Sequence, residues 1–379
     1  MTVRQCSEEA EAAVATSACD ACLRRTALVA QLAPHVERAR RDHRHLCELL
    51  ALSDDGLLAA LAGARRSELE GLHDRFDPDA QRARLRAARL DAVCRHGPDY
   101  PPRLQQAADA PAVLHVAGDR ARLAALAGDD APAVAVVGAR RAGYEALEVA
   151  RGLGRGLAAA GVMVVSGMAL GIDSAAHAGA LEVGGPTLTV LASGADVPYP
   201  PSKRNLYRAL VGTQAALSEM PPGFRPLRWC FPARNRIIAG LASLTIVVEA
   251  AERSGSLITA ELAQELGRAV GAVPGTVLAA RTAGSNALLR DGAVVIRHAQ
   301  DALDEALGIG VATALPGRDG SELARPLRAL LARVVDGYDT VAALAATPAE
   351  AQHVLAGLAE LELLGFLRRG PGGRYVRVA

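Results

Sequence analysis

Short strand-like apolar segments alternate with longer segments of helical spacing from about residue 132 onward. Residues 134–137 and 162–165 are apolar throughout, and residues 145–160 between them place apolar side chains three or four positions apart. Further strand-like segments follow at residues 187–191, 215–217, 244–249 and 293–296. Strands that are apolar along their length are typical of a parallel sheet covered by helices on both faces. The pattern therefore predicts an α/β fold, whose ligands bind at the carboxyl ends of the strands.

The N-terminal part of the chain has a different pattern. Residues 46–61 and 82–93 have helical apolar spacing, and residues 97–102 contain three prolines and a glycine that interrupt it. A short strand is predicted at residues 112–118. We therefore expect residues 1–120 to form a mainly helical N-terminal region.

The C-terminal part is predicted to be a separate small unit. Residues 306–320 contain Gly, Ala and Pro and indicate a linker after a core at residues 121–305. A helix at about residues 348–364 precedes two short strands around a Gly/Pro turn at residues 365–378. Helices followed by a basic hairpin suggest that residues 321–379 are a winged-helix domain.

Composition limits the possible partners. The chain has 379 residues, enough for two or three domains, and a net charge of +1, so any affinity for nucleic acid must come from a local patch. Lys203 is the only lysine, and the abundance of arginine makes each single arginine weak evidence. The chain has no apolar run of membrane-spanning length and no signal-peptide pattern, so we expect a cytoplasmic protein without a membrane partner.

Two glycine-containing loops are candidates for binding phosphate. Gly138, Ala139 and Arg140 follow the first core strand, and backbone N–H groups together with Arg140 could grip a phosphate there. The loop lacks the G-x-G-x-x-G pattern and the acid of a dinucleotide site, and an ordinary strand-to-helix turn is the alternative. Ser166 and Gly167 open the second loop, whose glycines let the backbone approach a ligand.

Two further residues belong to this second loop and the helix after it. Asp173 could cap a helix that starts at Ser174, and we favour that role over acid–base chemistry. His177 lies one helical turn later, where packing or hydrogen bonding is favoured over a role as general base.

The segment at residues 231–240 is the most informative of the chain. Arg234, Asn235 and Arg236 follow a Phe-Pro pair at a predicted helix start, where charge-assisted donors and free N–H groups suit phosphates. Trp229 and Phe231 lie among the arginines, and cations interleaved with aromatic rings suit single-stranded nucleic acid. The alternative for both rings is a place in the hydrophobic core.

Two more segments could contribute to an anion site. Ser254, Gly255 and Ser256 open another predicted helix, where anion binding and plain capping are both open. Lys203 lies in a loop after the third core strand, with a tyrosine on either side at positions 199 and 207, and Tyr207 beside it could offer a further stacking ring. The alternative for this segment is exposed charges in an ordinary loop.

One cysteine pair raises the question of a metal. Cys19 and Cys22 have the spacing of a zinc half-site, for which Cys47, His43 or His45 could supply further ligands. A second C-x-x-C is missing, so free thiols in a helical segment are favoured and no metal is expected.

The order of these motifs resembles the DNA-processing protein A (DprA/Smf) family, over about residues 100–300. The matching segments are residues 136–140, 166–177, 199–200, 231–240, 248–250, 254–260, 274–275 and 284–286. The resemblance implies an extended Rossmann-like domain and places the family's phosphate-gripping loop on Gly138, Ala139 and Arg140. It also places the basic residue after the Tyr-Pro turn near Lys203, and the family's Arg-Asn-Arg on residues 234–236. This chain differs at Ala139, where the family usually has Ser, and at Leu170, where it often has Arg.

The resemblance implies a function. It implies a single-stranded DNA-binding protein that protects incoming DNA and loads the RecA recombinase in natural transformation, acting as a homodimer with neither cofactor nor catalytic activity. The alternative is a Rossmann-like nucleotide-binding enzyme related to phosphoribohydrolases. Those enzymes carry a Pro-Gly-Gly-x-Gly-Thr loop and a catalytic Glu, and only Pro274, Gly275 and Thr276 remain of that loop here.

Overall fold

A computed structural model describes residues 18–128, 131–309, 323–345, 347–364 and 366–377. Among these residues, no helix is both long enough and apolar enough to cross a membrane.

Nine strands of the described chain form one sheet. Their order across the sheet is β1-β2-β6-β5-β4-β3-β7-β8-β9. The strands are β1 (Asp91–Cys94), β2 (Val113–Gly118), β3 (Ala133–Val137), β4 (Met163–Ser166), β5 (Thr187–Val190), β6 (Ala215–Ser218), β7 (Leu244–Val247), β8 (Ala269–Ala272) and β9 (Val294–Val295). Strand β2 runs antiparallel to both β1 and β6, and all the other pairs are parallel. The predicted α/β fold with a Rossmann-like, mainly parallel sheet is confirmed.

Strand β3 shows why the sheet is covered on both faces. Val134 and Val136 pack in one hydrophobic cluster, while Ala133, Ala135 and Val137 pack in another. Successive side chains of a strand point to opposite faces, so an entirely apolar strand needs an apolar partner on each side. The partners are helices that connect or follow the strands.

The helices of the described chain are as follows. Those before the parallel strands are α1 (Asp20–Ala39), α2 (His43–Ala51), α3 (Asp54–Leu61), α4 (Arg66–Asp74), α5 (Pro78–Ala87), α6 (Pro102–Gln105) and α7 (Ala121–Ala124). Those of the core are α8 (Tyr144–Ala159), α9 (Ile172–Glu182), α10 (Arg204–Thr213), α11 (Cys230–Leu241), α12 (Gly255–Glu265), α13 (Ala283–Arg290) and α14 (Ala299–Leu307). Those of the C-terminal segment are α15 (Arg325–Val335), α16 (Val341–Leu344) and α17 (Pro348–Leu363).

The N-terminal region contributes two strands to the sheet. A helix was expected at residues 82–93, but α5 ends at Ala87. The chain turns away from the helix at Arg89, which adopts a left-handed conformation with φ of +54°. Residues 91–94 then form β1, which pairs with β2. Strands β1 and β2 belong to the same sheet as the core strands, so the sheet begins at residue 91, before the boundary that we expected at residue 120.

The C-terminal segment has a hydrophobic cluster of its own. Its three helices precede an antiparallel pair of strands, β10 (Leu367–Arg369) and β11 (Tyr375–Arg377). Leu331, Leu358 and Tyr375 are among the residues buried in that cluster. Helix α14 extends to Leu307, and residues 310–320 of the expected linker lie outside the described residues.

Candidate nucleic-acid interface

The loops after three neighbouring strands are joined at the carboxyl edge of the sheet. The N–H of Ala139, after β3, donates to the Glu249 carbonyl oxygen, after β7, at 2.7 Å. The N–H of Ile172, which begins α9, donates to the Ala139 carbonyl oxygen at 3.3 Å. Gly171 has φ of +80°, and a Cβ there would lie 2.1 Å from the same oxygen. A glycine is therefore needed at position 171 for the loops after β3 and β4 to meet.

Asp173 holds the second loop in shape. Its Oδ2 accepts the N–H groups of Gly167 at 3.2 Å and of Ala169 at 3.3 Å. Between them, Met168 has a left-handed φ of +54°, a conformation that costs a non-glycine residue about 1–2 kcal/mol. Burial raises the pKa of the Asp173 carboxyl, an effect that the nearby Arg234 and these N–H groups oppose. Helix α9 begins at Ile172, so Asp173 bridges the loop and does not cap a helix at Ser174.

Arg234 lies beneath this loop with only 6% of its surface exposed. Its Nη1 donates to the Val190 carbonyl oxygen, at the end of β5, at 2.7 Å. A Cβ on Gly167 would lie 1.7 Å from that same Nη1, so the guanidinium fits only because residue 167 has no side chain. Burial lowers the pKa of Arg234, while Asp173 opposes the shift. Its Nε has no hydrogen-bond partner among the described residues.

Arg236 belongs to a buried ion-pair cluster. It is 3% exposed, its Nε lies 3.2 Å from Asp109 Oδ2 and its Nη2 lies 2.5 Å from Glu219 Oε2. Helix α11 begins at Cys230, so residues 234–236 follow its first turn and their N–H groups are not the free groups of a helix start. Two carboxylates therefore balance the charge of Arg236 within the protein, and phosphate contact by this residue stays a prediction.

Arg140 and two aromatic rings meet at the edge of the sheet. The exposed Arg140 places its Cζ 5.3 Å from the centroid of the Phe231 ring, a cation–π distance. The Phe231 ring lies 5.4 Å from the ring of Tyr199, which is 38% exposed. These three side chains come from the β3 loop, the segment after β5 and α11, and we call them the aromatic platform. The sequence pattern signalled Arg140 and Phe231 separately but gave no indication of their contact.

The other rings that we considered for stacking are occupied elsewhere. Trp229 is 0% exposed and packs in the hydrophobic core, which was the alternative for it. The Tyr207 hydroxyl donates to the Ala195 carbonyl oxygen at 2.7 Å, and its ring packs in another cluster. Tyr199, rather than Trp229 or Tyr207, is therefore the ring that lies beside Phe231 at the edge of the sheet.

Several hydroxyl and amide groups of the predicted site make internal hydrogen bonds. Ser166 is buried and its Oγ donates to the Val136 carbonyl oxygen at 2.6 Å. Ser254 caps α12 by accepting the Ser256 N–H at 3.4 Å, and the two hydroxyls are 2.7 Å apart. Asn235 Nδ2 donates to the Gly255 carbonyl oxygen at 3.2 Å, which connects α11 to α12. These groups shape the edge of the sheet.

Exposure divides the twelve residues that we expected at a DNA site. Two of them are exposed, Arg140 and Gly255. Five are partly exposed, namely Gly138, Ala139, Lys203, Asn235 and Ser254. The other five are buried, namely Ser166, Gly167, Arg234, Arg236 and Ser256. Lys203 ends the short 3-10 turn Pro201–Lys203 before α10, four residues after Tyr199. DNA contact by all twelve residues stays a prediction.

His177 has the structural role that we favoured. Its Nδ1 lies 2.7 Å from Thr187 Oγ1, and the residue is buried. Burial lowers the pKa of His177 to about 3, so the imidazole is neutral near pH 7.

The cysteine pair has partners other than those expected. Cys19 and Cys22 lie beside Cys94 and His96. The residues that we had considered as further ligands lie elsewhere: His43 contacts Glu261, His45 contacts Glu48, and Cys47 packs against the core of the sheet.

A cleft lies at the same edge of the sheet. Its volume is about 350 Å³, and Tyr144, Glu249, Pro274 and Arg281 are among its lining residues. The Glu249 carboxylate accepts the Gly143 N–H at 3.1 Å and pairs with Arg281 at 3.1 Å. This carboxylate is therefore engaged by the protein itself.

Among the solved structures that resemble this chain are two DNA processing proteins A. DNA processing protein A from Streptococcus pneumoniae aligns with a TM-score of 0.60 and 32% identity, over 75% of this chain and 96% of that one. DNA processing protein A from Helicobacter pylori, which was studied for its single-stranded DNA binding mode, aligns with a TM-score of 0.51 and 28% identity, over 57% and 94%.

Sequence comparisons give the same family. Protein Smf of Escherichia coli is 37% identical over 290 residues, 74% of this chain and 75% of that protein. The Mycobacterium tuberculosis protein named "Putative DNA processing protein DprA" is 44% identical over 189 residues, and the match spans about half of its length, 49%. Residues 91–307 match the family model described as DNA recombination-mediator protein A. Because that match covers more than half of the chain, the protein belongs to the DNA recombination-mediator protein A family, which is the DprA/Smf family.

Proposed function

We propose that this protein binds single-stranded DNA along the carboxyl edge of its parallel sheet and acts in DNA recombination. The observation that carries the proposal is the aromatic platform, where Arg140 lies over the ring of Phe231 with Tyr199 alongside. A cation next to partly exposed rings offers a phosphate partner and a stacking surface at one place. The single-stranded DNA binding mode of the H. pylori relative supports the same substrate.

Buried positive charge supports the electrostatic part of the proposal. Arg234 lies below the loop at the same edge, where the Asp173 carboxylate acts on its charge. Arg140 and Lys203 are at the surface, on the segments after β3 and β5. We propose that these two side chains contact phosphates, while Arg234 holds the loop and adds to the positive potential.

A comparison of the affinities for single-stranded and duplex DNA distinguishes binding by base stacking from binding by charge alone. Bases of a single strand can stack on the platform, whereas a duplex hides its base faces. A purely electrostatic surface would prefer the duplex, because its charge density is higher. The test is fluorescence anisotropy with labelled oligo-dT and a matched duplex at several salt concentrations. Binding of oligo-dT that exceeds duplex binding, at raised salt as well, is expected; equal affinity would contradict the proposal.

The cellular role is proposed from the family. We propose that the protein protects incoming single-stranded DNA, loads a RecA-type recombinase onto it during transformation and acts as a homodimer. Nuclease protection of bound oligo-dT, RecA-dependent strand exchange with the protein added, and light scattering test these three parts separately.

We also propose that the C-terminal segment is a winged helix and that the protein is not an enzyme. The helices α15 to α17 followed by the strand pair β10 and β11 support the first point. The internal contacts of Glu249 support the second, because that carboxylate lines the same cleft as the residual Pro-Gly-Thr segment. Titration with mononucleotides, run beside a titration with oligo-dT, tests whether the protein is an enzyme. Tight mononucleotide binding with hydrolysis would favour the phosphoribohydrolase-like alternative.

A further inference from the structure

Three thiols and one imidazole from distant parts of the sequence converge next to the sheet. We call the group the thiol cluster, and its members are Cys19, Cys22, Cys94 and His96. One ligand atom from each residue lies within 4.8 Å of the ligand atoms of all the others. No disulfide joins the three thiols of this cluster, although they are close together.

The local fold explains why the four side chains meet. Cys19 precedes α1 and Cys22 lies in its first turn, so the C-x-x-C spacing turns both thiols to one side. Cys94 is the last residue of β1, and His96 lies in the tight turn that follows, which the Gly97 N–H closes on the Cys94 carbonyl oxygen at 2.8 Å. The second pair therefore has a C-x-H spacing on a strand end, and it faces the first pair across the edge of the sheet.

The distances match those around one tetrahedral ion. His96 Nδ1 lies 3.5 Å from Cys19 Sγ and 3.4 Å from Cys22 Sγ. With zinc–sulfur bonds of about 2.3 Å and zinc–nitrogen bonds of about 2.0–2.1 Å, a tetrahedron places S and N about 3.6 Å apart. A hydrogen bond could explain either contact with His96, but a single ion explains the convergence of all four groups.

We propose that the thiol cluster binds one structural zinc ion. Three thiolates and one imidazole form a ligand set that zinc prefers, and four protein ligands leave no open position for a substrate. The ion would fasten the start of α1 to the edge strand β1, which lie more than 70 residues apart in the sequence. The inference concerns the architecture of the N-terminal region and is independent of the proposed DNA binding.

Metal content and cobalt spectroscopy test the proposal on the full-length protein. We expect plasma mass spectrometry of protein purified without added metal to find about one zinc per chain. After zinc removal under reducing conditions, added Co²⁺ should give the intense visible bands of tetrahedral coordination and the near-ultraviolet bands of thiolate ligation. Chelation of the native zinc should lower the melting temperature.

Variants locate the site. Cys94→Ser and His96→Ala should each lose most of the zinc, and His96→Ala should also change the cobalt spectrum. The matched control is Cys47→Ser, which removes a cysteine outside the cluster and should keep the full zinc content and the cobalt spectrum.

Three results would overturn the proposal. They are native protein with neither stoichiometric zinc nor tetrahedral cobalt bands, a disulfide among the three cysteines in freshly isolated protein, and full zinc retention by both cluster variants. If the cluster variants do not fold, the zinc content and cobalt spectrum of the native chain decide the question.

Discussion

The guanidinium of Arg234 occupies the space that a side chain at Gly167 would fill, with Nη1 only 1.7 Å from the position of such a Cβ. The loop after β4 and helix α11 are therefore fitted to each other. The same guanidinium also bonds to the end of β5, so one buried side chain connects three elements. The positive charge of Arg234 thus acts from beneath the loop.

Gly167→Ala should destabilise the protein and weaken DNA binding together. The new methyl group must displace Arg234 or the loop, and overpacking of this kind costs about 1–3 kcal/mol. Urea unfolding and oligo-dT anisotropy measure the two effects. Gly212→Ala is the control, since position 212 is helical with open space around it and should be neutral or stabilising. Equal stability and affinity of Gly167→Ala and wild type would contradict the packing described here.

Arg140→Ala should reduce the salt dependence of oligo-dT binding without affecting folding. Loss of one phosphate contact lowers the slope of log affinity against log salt by about 0.7 for a single strand. The control is Arg66→Ala, an exposed arginine of the N-terminal helices that should leave the slope unchanged. An unchanged slope and affinity in Arg140→Ala would remove this residue from the interface.

Arg236→Ala should act on stability first. Removal of the guanidinium leaves the largely buried carboxylates of Glu219 and Asp109 without their partner, and breaking a buried pair costs about 3–5 kcal/mol. Urea unfolding measures this loss. A stable Arg236→Ala protein with a reduced salt slope would show that Arg236 contacts phosphate after all.

Tyr199→Ala should weaken the preference for single strands over duplex. The ring is partly exposed, and stacking contributes about 1–3 kcal/mol per base. Trp229→Ala is the contrasting variant, because its ring is fully buried and its loss should cost about 3–5 kcal/mol of stability. Anisotropy with both DNA forms, together with urea unfolding, separates the two cases. An unaltered preference in a folded Tyr199→Ala protein would argue against stacking there.

A chain that ends at residue 309 should still bind oligo-dT. The C-terminal segment buries its own cluster around Leu331 and Leu358, and the loops of the proposed interface all precede residue 309. Circular dichroism verifies that the shortened chain is folded, and anisotropy measures its affinity. A folded but non-binding chain would place an essential contact in the C-terminal segment.

Two buried histidines should make the protein less stable as the pH falls below about 6.5. Burial lowers the pKa of His177 to about 3 and that of His115 to about 4, so both remain neutral in the folded state. The unfolded state takes up protons near pH 6.5, and each histidine then costs about 1.4 kcal/mol per pH unit. Urea unfolding between pH 7 and 5 measures how steeply the free energy of unfolding depends on pH, and His177→Gln should make that dependence less steep. A pH-independent stability in that range would contradict the buried, neutral assignment.

The sequence predicted the sheet well because the apolar strands of its core are buried on both faces. It did not predict β1, because the turn at Arg89 uses a left-handed residue that is not glycine. It identified Arg234 and Arg236 but not their burial, since the carboxylates that balance Arg236 lie at positions 109 and 219.

Contacts between distant segments account for the other differences. Tyr199 and Phe231 meet only after β5 and α11 are packed, and Cys94 joins Cys19 only after β1 takes its place in the sheet. Local periodicity carries no information on such pairs.

The antiparallel pairing of β2 with β6 has a consequence for synthesis of the chain. His115 of β2 pairs with Ser218 of β6, so the ribosome must add 103 residues before the partner exists. At about 5–20 residues per second, the edge of β2 stays unpaired for roughly 5–20 s. During that interval the open edge of β2 is a template for wrong pairing. Strand β2 can pair with β6 only after β3, β4 and β5, which lie between them in the sequence, have been synthesised. Correct folding of the nascent chain thus depends on the order in which its strands emerge.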